Sequence, residues 1–180
     1  MLGLMMDTPL LISSIAEHAA RFHGDREIVS VTADNPRHRY TYREAIARSK
    51  QLANALDRLG LENGDRVATL AWNDYRHLEA YYAISGSGRV CHTINPRLFA
   101  EQILFIINHA EDRYIFTDPM FLPLLEALAG KIPTVEGIVV LTDEAHMPET
   151  SLPNVICYET LLGAESSEYA WPRLDERTAS

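Results

Sequence analysis

The chain has 180 residues, of which 47% are hydrophobic and 23% charged, and a formal net charge of −9 at pH 7. This size and balance are typical of one globular domain with a sizeable core. The acidic charge argues against a nucleic-acid surface, which needs clustered lysine and arginine. No apolar run is long enough to span a bilayer, and the apolar N-terminus lacks the basic residues of a signal peptide, so we expect a cytoplasmic protein.

The first sixty residues predict a helix, a hairpin and a second helix. Thr8 and Pro9 predict the start of the first helix, as a cap followed by proline in the first turn. The alternating segment REIVSVTADNPRHRYTY, residues 26–42, turns at 34–36 and predicts a β-hairpin. A T-x-x-E capping box at residues 41–44 then begins the second helix, which Gly60 ends.

From residue 66 onward, short β-rich runs alternate with helical patterns. The predicted strands cover 66–71, 90–94, 113–117 and 137–142, and the predicted helices cover 74–85, 99–110 and 119–129. This alternation predicts right-handed βαβ units and an α/β fold with a flavodoxin-like or Rossmann-like parallel sheet. We expect that subdomain to occupy 1–143. Residues 144–180 are expected to be an irregular connector with one strand-like run, NVICY, and one short helix.

Polar side chains stand at the ends of two predicted strands. In an open parallel sheet, ligands bind beyond the carboxyl ends of strands whose crossovers go to opposite faces. That rule selects Trp72 and Asn73 after one strand, and His92, Thr93 and Asn95 at the end of the next. Structural roles compete with ligand binding. Asn73 would cap the next helix, Asn95 would form the turn before a proline, and His92 would be a hydrogen-bonded core or rim residue with no acid at a suggestive spacing.

Other familiar chemical motifs are missing from the sequence. The glycine-rich SGSG at 85–88 follows a helix and precedes a strand, whereas phosphate loops follow a strand and open a helix. The two cysteines, Cys91 and Cys157, are too few for a disulfide framework, and their apolar surroundings predict buried thiols in a reducing compartment. The seven histidines show no metal-ligand spacing. The residues alone therefore indicate a βαβ domain without an assembled active site.

One long segment carries a family resemblance. GDRVATLAWNDYRHLEAYYAISGSGRVCHTINPRL, residues 64–98, resembles the N-terminal region of the adenylate-forming enzymes, specifically the fatty-acyl-CoA synthetases. YTYREAIARSKQLANAL before it, and ILFIINHAEDRYIFTD and WPRLDERTAS after it, are similar to that family in the same order. The likeness covers essentially the whole chain.

The resemblance implies an enzyme that uses ATP and Mg²⁺ to join a carboxylic acid to AMP and then passes the acyl group to CoA. Medium- or long-chain fatty acids are the favoured substrates, with short thioether or aromatic acids as alternatives. The family's Ser/Thr/Gly-rich loop with its lysine, and its catalytic acid, are expected after Ser180. No catalytic residue is therefore assigned, and the chain alone is expected to be inactive. The strand-end residues would border the CoA or acyl pocket, and a homodimer is expected because related synthetases often form one.

Two further hypotheses stay open. In the first, the chain is a free-standing, non-catalytic module that binds a small ligand at a crevice between Asn73 and Asn95. In the second, it is an interaction domain whose apolar arm, residues 1–15, docks on a second copy. The surface meant for a missing partner subdomain would also promote association.

Overall fold

The computed structural model describes residues 3–32 and 37–180. The helices in this part of the chain are α1 (Ile12–His23), α2 (Tyr42–Arg58), α3 (Tyr75–Gly86), α4 (Ala100–Ala110), α5 (Leu122–Leu128) and α6 (Tyr158–Gly163). The strands are β1 (Glu27–Ser30), β2 (His38–Thr41), β3 (Arg66–Leu70), β4 (Val90–Thr93), β5 (Tyr114–Thr117), β6 (Gly137–Val140) and β7 (Val155–Cys157). Short 3₁₀ turns cover Pro119–Phe121 and Glu144–His146. None of the helices described is both long enough and apolar enough to cross a membrane.

Five strands form one parallel sheet in the order β4-β3-β5-β6-β7. With β3 counted as the first strand, this is the flavodoxin-like order 2-1-3-4-5. The predicted α/β class is therefore confirmed. The strands β1 and β2 pair separately and antiparallel, with Ile28 opposite Tyr40. This confirms the hairpin partners, while its predicted turn at Asp34, Asn35 and Pro36 lies outside the described residues.

Helices cover both faces of the parallel sheet, because alternate side chains along each strand point to opposite faces. One face packs against α2, α3 and α6, where Leu56, Ile84 and Phe116 are fully buried. The other packs against α4 and α5, where Ile103 and Leu125 are fully buried. Strands covered on both sides read as continuous apolar runs, which is why the sequence predicted them well.

The cysteines show what an edge position does to burial. Cys91 in β4 and Cys157 in β7 are free and only half-buried, so the prediction of buried thiols is wrong. The reason is that β4 and β7 are the two edge strands of the sheet, each with a neighbour on one side only. Even so, burial raises the pKa of the Cys91 thiol to about 12.

The two N-terminal helices differ in how they begin. The predicted capping box of α2 is confirmed: the Thr41 side chain accepts from the Glu44 amide, and the Glu44 side chain accepts from the Thr41 amide. The predicted start of the first helix at Thr8 is wrong, because α1 begins at Ile12 and Leu11 offers no side-chain cap. The preceding residues instead run toward the C-terminal segment, where the amide of Leu10 donates to Glu176 Oε2 at 2.7 Å.

The segment after residue 143 takes part in the sheet. β7 pairs with β6 from Ile138↔Val155 to Val140↔Cys157. Tyr158, Leu161 and Leu162 of α6 are buried in the core. The division of the chain at residue 143 stays a prediction, but β7 belongs to the parallel sheet and α6 packs in the core on one of its faces.

Two matched substitutions test the observed helix starts. Thr41→Ala removes the hydroxyl that caps α2 and should lower the free energy of unfolding by about 1 kcal/mol. Thr8→Ala, at an exposed position that caps no helix, should change it by less than about 0.5 kcal/mol. Urea denaturation of both variants measures the difference. Equal losses would mean that the first helix does start at Thr8.

Candidate functional site

The sheet order places the topological switch point between the carboxyl ends of β3 and β5. The sequence had paired the end of β3 with that of β4, because the crossover from β4 to β5 passes over β3 and leaves no mark in the sequence pattern. At the observed switch point, the amide of Trp72 donates to Asp118 Oδ2 at 2.7 Å. Beside this bond is a crevice of about 210 Å³. Its lining includes Asp74, Arg76, Asp118, Thr142 and His146.

Trp72 is the residue at which three loops meet. Its indole Nε1 lies 3.1 Å from Met120 Sδ, and its ring centroid lies 5.8 Å from that of Phe121. The guanidinium of Arg97, in the loop after β4, lies 5.7 Å from the Trp72 ring. Trp72 nevertheless keeps 42% of its surface exposed. The end of β4 therefore reaches the switch point through Arg97, two residues beyond Asn95.

The other residues predicted after the strands have simpler surroundings. Asn73 does not cap α3, and that prediction is wrong by one residue: Asp74 is the cap, and its Oδ1 accepts from the His77 amide at 2.9 Å. Asn73 instead lines a second crevice, of about 320 Å³, between β1 and α3. Thr93 and Asn95 are exposed. The Asn95 side chain accepts from the Arg97 amide at 3.0 Å, which is the turn-forming role predicted for it.

His92 has an acidic partner that the sequence did not reveal. Its Nδ1 lies 2.9 and 2.8 Å from the two carboxylate oxygens of Asp112, a fully buried residue just before β5. Burial raises the pKa of Asp112 despite this contact. The partners are 20 residues apart, and α4 lies between them. His92 thus contacts Asp112, two residues before the start of β5, whereas Trp72 contacts Asp118, directly after its end.

His77 fixes the loop that carries Trp72 and Asn73. Its Nδ1 lies 3.1 Å from the carbonyl oxygen of Trp72, and its Nε2 lies 3.0 Å from Thr69 Oγ1. Both ring nitrogens are therefore engaged, which suits a neutral imidazole that donates at Nδ1 and accepts at Nε2. Burial lowers the pKa of His77. This role could not be predicted from the sequence, because a histidine in a helix has no distinctive spacing.

A largely buried charged network, which was not predicted from the sequence, lies beside the crevice. Arg48 Nε lies 2.8 Å from Glu79 Oε1, and its Nη2 lies 3.0 Å from Glu159 Oε2. Arg76 Nε lies 2.8 Å from Glu159 Oε1. The hydroxyl of Tyr158 donates to Glu79 Oε2 at 2.7 Å. We define these five residues as the charged network; it ties α2, α3 and α6 together.

Burial and pairing act in opposite directions on the two carboxylates of the network. Glu79 is completely buried, and burial outweighs its contact with Arg48, so its pKa is raised to about 7. Burial also acts on Glu159, but Arg48 and Arg76 outweigh it and lower the pKa of that carboxyl. The network is well paired and places no nucleophile. Across residues 3–32 and 37–180, no group of three or more His, Cys, Asp or Glu side chains could hold a metal ion.

The sequence pattern of a protein family described as AMP-binding enzyme matches residues 15–170. A medium-chain-fatty-acid–CoA ligase of Ectopseudomonas oleovorans is 48% identical over 180 residues, which are 100% of this chain and 33% of that protein. A 3-methylmercaptopropionyl-CoA ligase of Ruegeria lacuscaerulensis has the same identity and coverage. A long-chain-fatty-acid–CoA ligase of Thermus thermophilus is 43% identical over 97% of this chain and 31% of its own length. The chain spans about a third of the length of the curated relatives it matches.

Solved structures share the fold. An anthranilate CoA ligase in complex with anthranoyl-AMP matches 93% of this chain and 30% of its own, with a TM-score of 0.79 and 20% identity. Acetoacetyl-CoA synthetase from Streptomyces lividans matches 93% of this chain and 27% of its own, with the same TM-score and identity. At that identity the likeness concerns the fold alone.

The raised pKa of Glu79 makes stability depend on pH. Between the ordinary value of 4.5 and the folded-state value of about 7, the folded protein holds a proton that the unfolded chain releases. The free energy of unfolding should therefore fall as pH rises through this window, by up to about 1.4 kcal/mol per pH unit from this group. Glu79→Gln cannot titrate and should remove that part of the slope, as measured by urea unfolding at several pH values.

Glu101→Gln, at an exposed position in α4, is the matched control and should keep the slope of the unsubstituted protein. The comparison concerns slopes, so a uniform loss of stability from the altered pairing of Arg48 does not affect it. Equal slopes for Glu79→Gln and the unsubstituted protein would contradict the prediction.

Proposed function

Because the chain belongs to the AMP-binding enzyme family, we propose that it is the N-terminal part of an ATP-dependent acid–CoA ligase. The observation that carries this proposal is the 48% identity, along all 180 residues, with a ligase named for medium-chain fatty acids. The fold shared with two CoA-ligating enzymes is consistent with it.

The proposed reaction has two steps. The carboxylate oxygen of the acid attacks the α-phosphorus of ATP, which gives acyl-AMP and releases pyrophosphate. The thiol of CoA then attacks the acyl carbon, which gives acyl-CoA and releases AMP. Mg²⁺ bound together with ATP would supply neutralisation of phosphate charge in the first step. The acyl-adenylate is a mixed anhydride, so the first step turns an unreactive carboxylate into a good acyl donor.

We propose no catalytic residue among residues 1–180. The sequence contains no G-x-x-x-x-G-K-[ST] loop, and SGSG at 85–88 has the wrong position relative to its strand. We therefore expect ATP, Mg²⁺ and CoA to bind the whole ligase, and the 180-residue chain alone to be inactive. We also propose a homodimer in the cytoplasm as the working form.

The proposed substrate is a medium- or long-chain fatty acid. The relatives from Ectopseudomonas oleovorans and Thermus thermophilus, named for such acids, support this choice. A short thioether acid is the alternative, supported by the Ruegeria lacuscaerulensis relative, which is equally similar.

The strand-end residues are proposed to border the CoA or acyl pocket without taking part in the chemistry. Trp72 supports this, because it offers an exposed aromatic face beside the switch point. His92 would act indirectly through Asp112, since its ring is engaged there. The proposed wall comprises Trp72, Asn73, His92, Thr93 and Asn95.

A second candidate function is a non-catalytic binding or dimerisation module. It is favoured by the N-terminal arm, where Leu4, Met5, Met6 and Leu10 leave 70% or more of their surface exposed. Apolar side chains so exposed are typical of segments that bind a partner.

The ligase proposal is tested with two proteins made in parallel. One is the 180-residue chain, and the other is the product of its reading frame continued past Ser180. The longer protein should form acyl-CoA and AMP from ATP, CoA and decanoate, while the chain alone should form neither. Decanoate, palmitate and 3-methylmercaptopropionate, compared by kcat/KM, rank the substrate classes. Liquid chromatography with mass detection follows both products.

Failure of the longer protein to release AMP with any of these acids would contradict the proposal. A stop codon directly after Ser180 would also contradict it. In either case the non-catalytic module becomes the better account of the chain.

The proposed pocket wall is tested in the longer protein by Trp72→Ala and His92→Ala. Each should raise KM for CoA or for the acid, by about tenfold for Trp72→Ala, with little change in kcat, because the lost contacts bind substrate and transition state alike. Phe105→Ala, at an exposed aromatic position on α4, is the control and should leave both constants unchanged. Unchanged kinetics in both test variants would exclude these residues from the pocket wall.

A further inference from the structure

Residues 164–178 form an irregular segment, here called the strap, that lies across α1, α2 and α3. The side-chain amide of Asn54 in α2 donates to the carbonyls of Ser166 and Glu168, at 2.8 and 3.0 Å. Among the described residues, no backbone–backbone hydrogen bond joins residues 166–178 to another part of the chain. The strap is therefore held almost entirely by side chains.

The centre of the strap is an aromatic contact that needs a glycine. A Cβ placed on Gly86 would lie only 2.8 Å from Cζ3 of Trp171. The indole Nε1 of Trp171 also donates to Glu17 Oε1 at 2.9 Å, and Lys50 Nζ lies 2.7 Å from that oxygen. The Trp171 ring thus packs directly against Gly86 at the end of α3. Its indole nitrogen is hydrogen-bonded to Glu17 of α1.

The second glycine of SGSG has a related role. Gly88 has φ of +90°, and a Cβ there would lie 3.1 Å from Cδ2 of Leu174 and 2.5 Å from Oδ1 of Asn63. Farther along the strap, the Glu176 carboxylate accepts the Leu10 amide. The SGSG turn therefore contacts the strap at Trp171 and Leu174. The strap in turn contacts the segment before α1 through the bond between Glu176 and Leu10.

We propose that the strap is a latch that releases from α1, α2 and α3 as a unit, with Trp171 on Gly86 as its catch. Segments with few buried apolar contacts and no backbone ladder open at lower free energy than a sheet core. No side chain of the strap is fully buried, and its larger apolar side chains, Tyr169, Trp171 and Leu174, are only partly buried. Release would also free residues 3–11, because the bond between Leu10 and Glu176 connects them to the strap. This proposal does not depend on the proposed ligase activity.

The test is Gly86→Ala in the 180-residue chain. Alanine favours the helical end of α3 more than glycine does, so any loss comes from displacing Trp171. Trypsin cleaves after Arg173 and Arg177, and mass spectrometry of the released peptides gives the rate. We expect cleavage in the strap to become about tenfold faster, because proteolysis follows the population of the open form. Circular dichroism should show that the thermal unfolding transition is retained.

Gly163→Ala is the matched control, because a Cβ there meets no atom within 4 Å. It should leave the cleavage rate unchanged. Trp171→Ala should speed cleavage as Gly86→Ala does, and the double variant should be no faster than Trp171→Ala alone, because the catch can be lost only once.

Two results would overturn the proposal. One is cleavage of Gly86→Ala at the rate of the control. The other is faster cleavage that appears only together with loss of the cooperative unfolding transition, since the strap would then be part of the global fold. If Gly86→Ala fails to fold, Trp171→Ala decides: the unsubstituted rate overturns the latch, and faster cleavage with the transition retained supports it.

Discussion

Complete burial of the Glu79 carboxylate constrains how three helices can be arranged. Removing an ionisable group from water costs several kcal/mol unless it is paired or protonated. Its partners come from outside α3, with Arg48 on α2 and Tyr158 at the start of α6. If either helix moved away, a polar group would be left buried without its partner. The charged network therefore ties α2, α3 and α6 together.

The charged network also constrains the crevice at the switch point. Arg76, in the first turn of α3, belongs to the network and lines that crevice. Asp74 and His77 hold the loop after β3, while Arg76 donates to the Leu141 carbonyl after β6 at 3.2 Å. The crevice between β3 and β5 is thus bordered by a helix turn that cannot shift alone. Trp72 is the exception, since its ring rests on the loops around it. The first turn of α3 that borders the crevice is thus constrained, whereas the Trp72 ring nearby packs on loops.

Local features of the sequence predicted the helices and strands well, but they predicted poorly which elements and side chains lie next to one another in space. The T-x-x-E motif at Thr41 and the apolar runs of β3, β5 and β6 are short-range signals, and the structure confirms them. The strand order could not be read from the sequence, because nothing local records that the chain returns past β3. The pairing of His92 with Asp112 and the charged network were missed for a related reason. A buried charge shows in the sequence only as an interruption of an apolar stripe, and its partner stands tens of residues away.

The separation of the network partners has a consequence for synthesis. Glu159 stands 111 residues after Arg48, and Tyr158 stands 79 residues after Glu79. A chain growing from its N-terminus completes α2 and α3 long before α6 exists. During that interval Glu79 has only Arg48, and the face that α6 will cover stays open to water. We expect the nascent chain to be most exposed to chaperones and to aggregation just before residue 158 leaves the ribosome. Slow translation before that moment would prolong this vulnerable state.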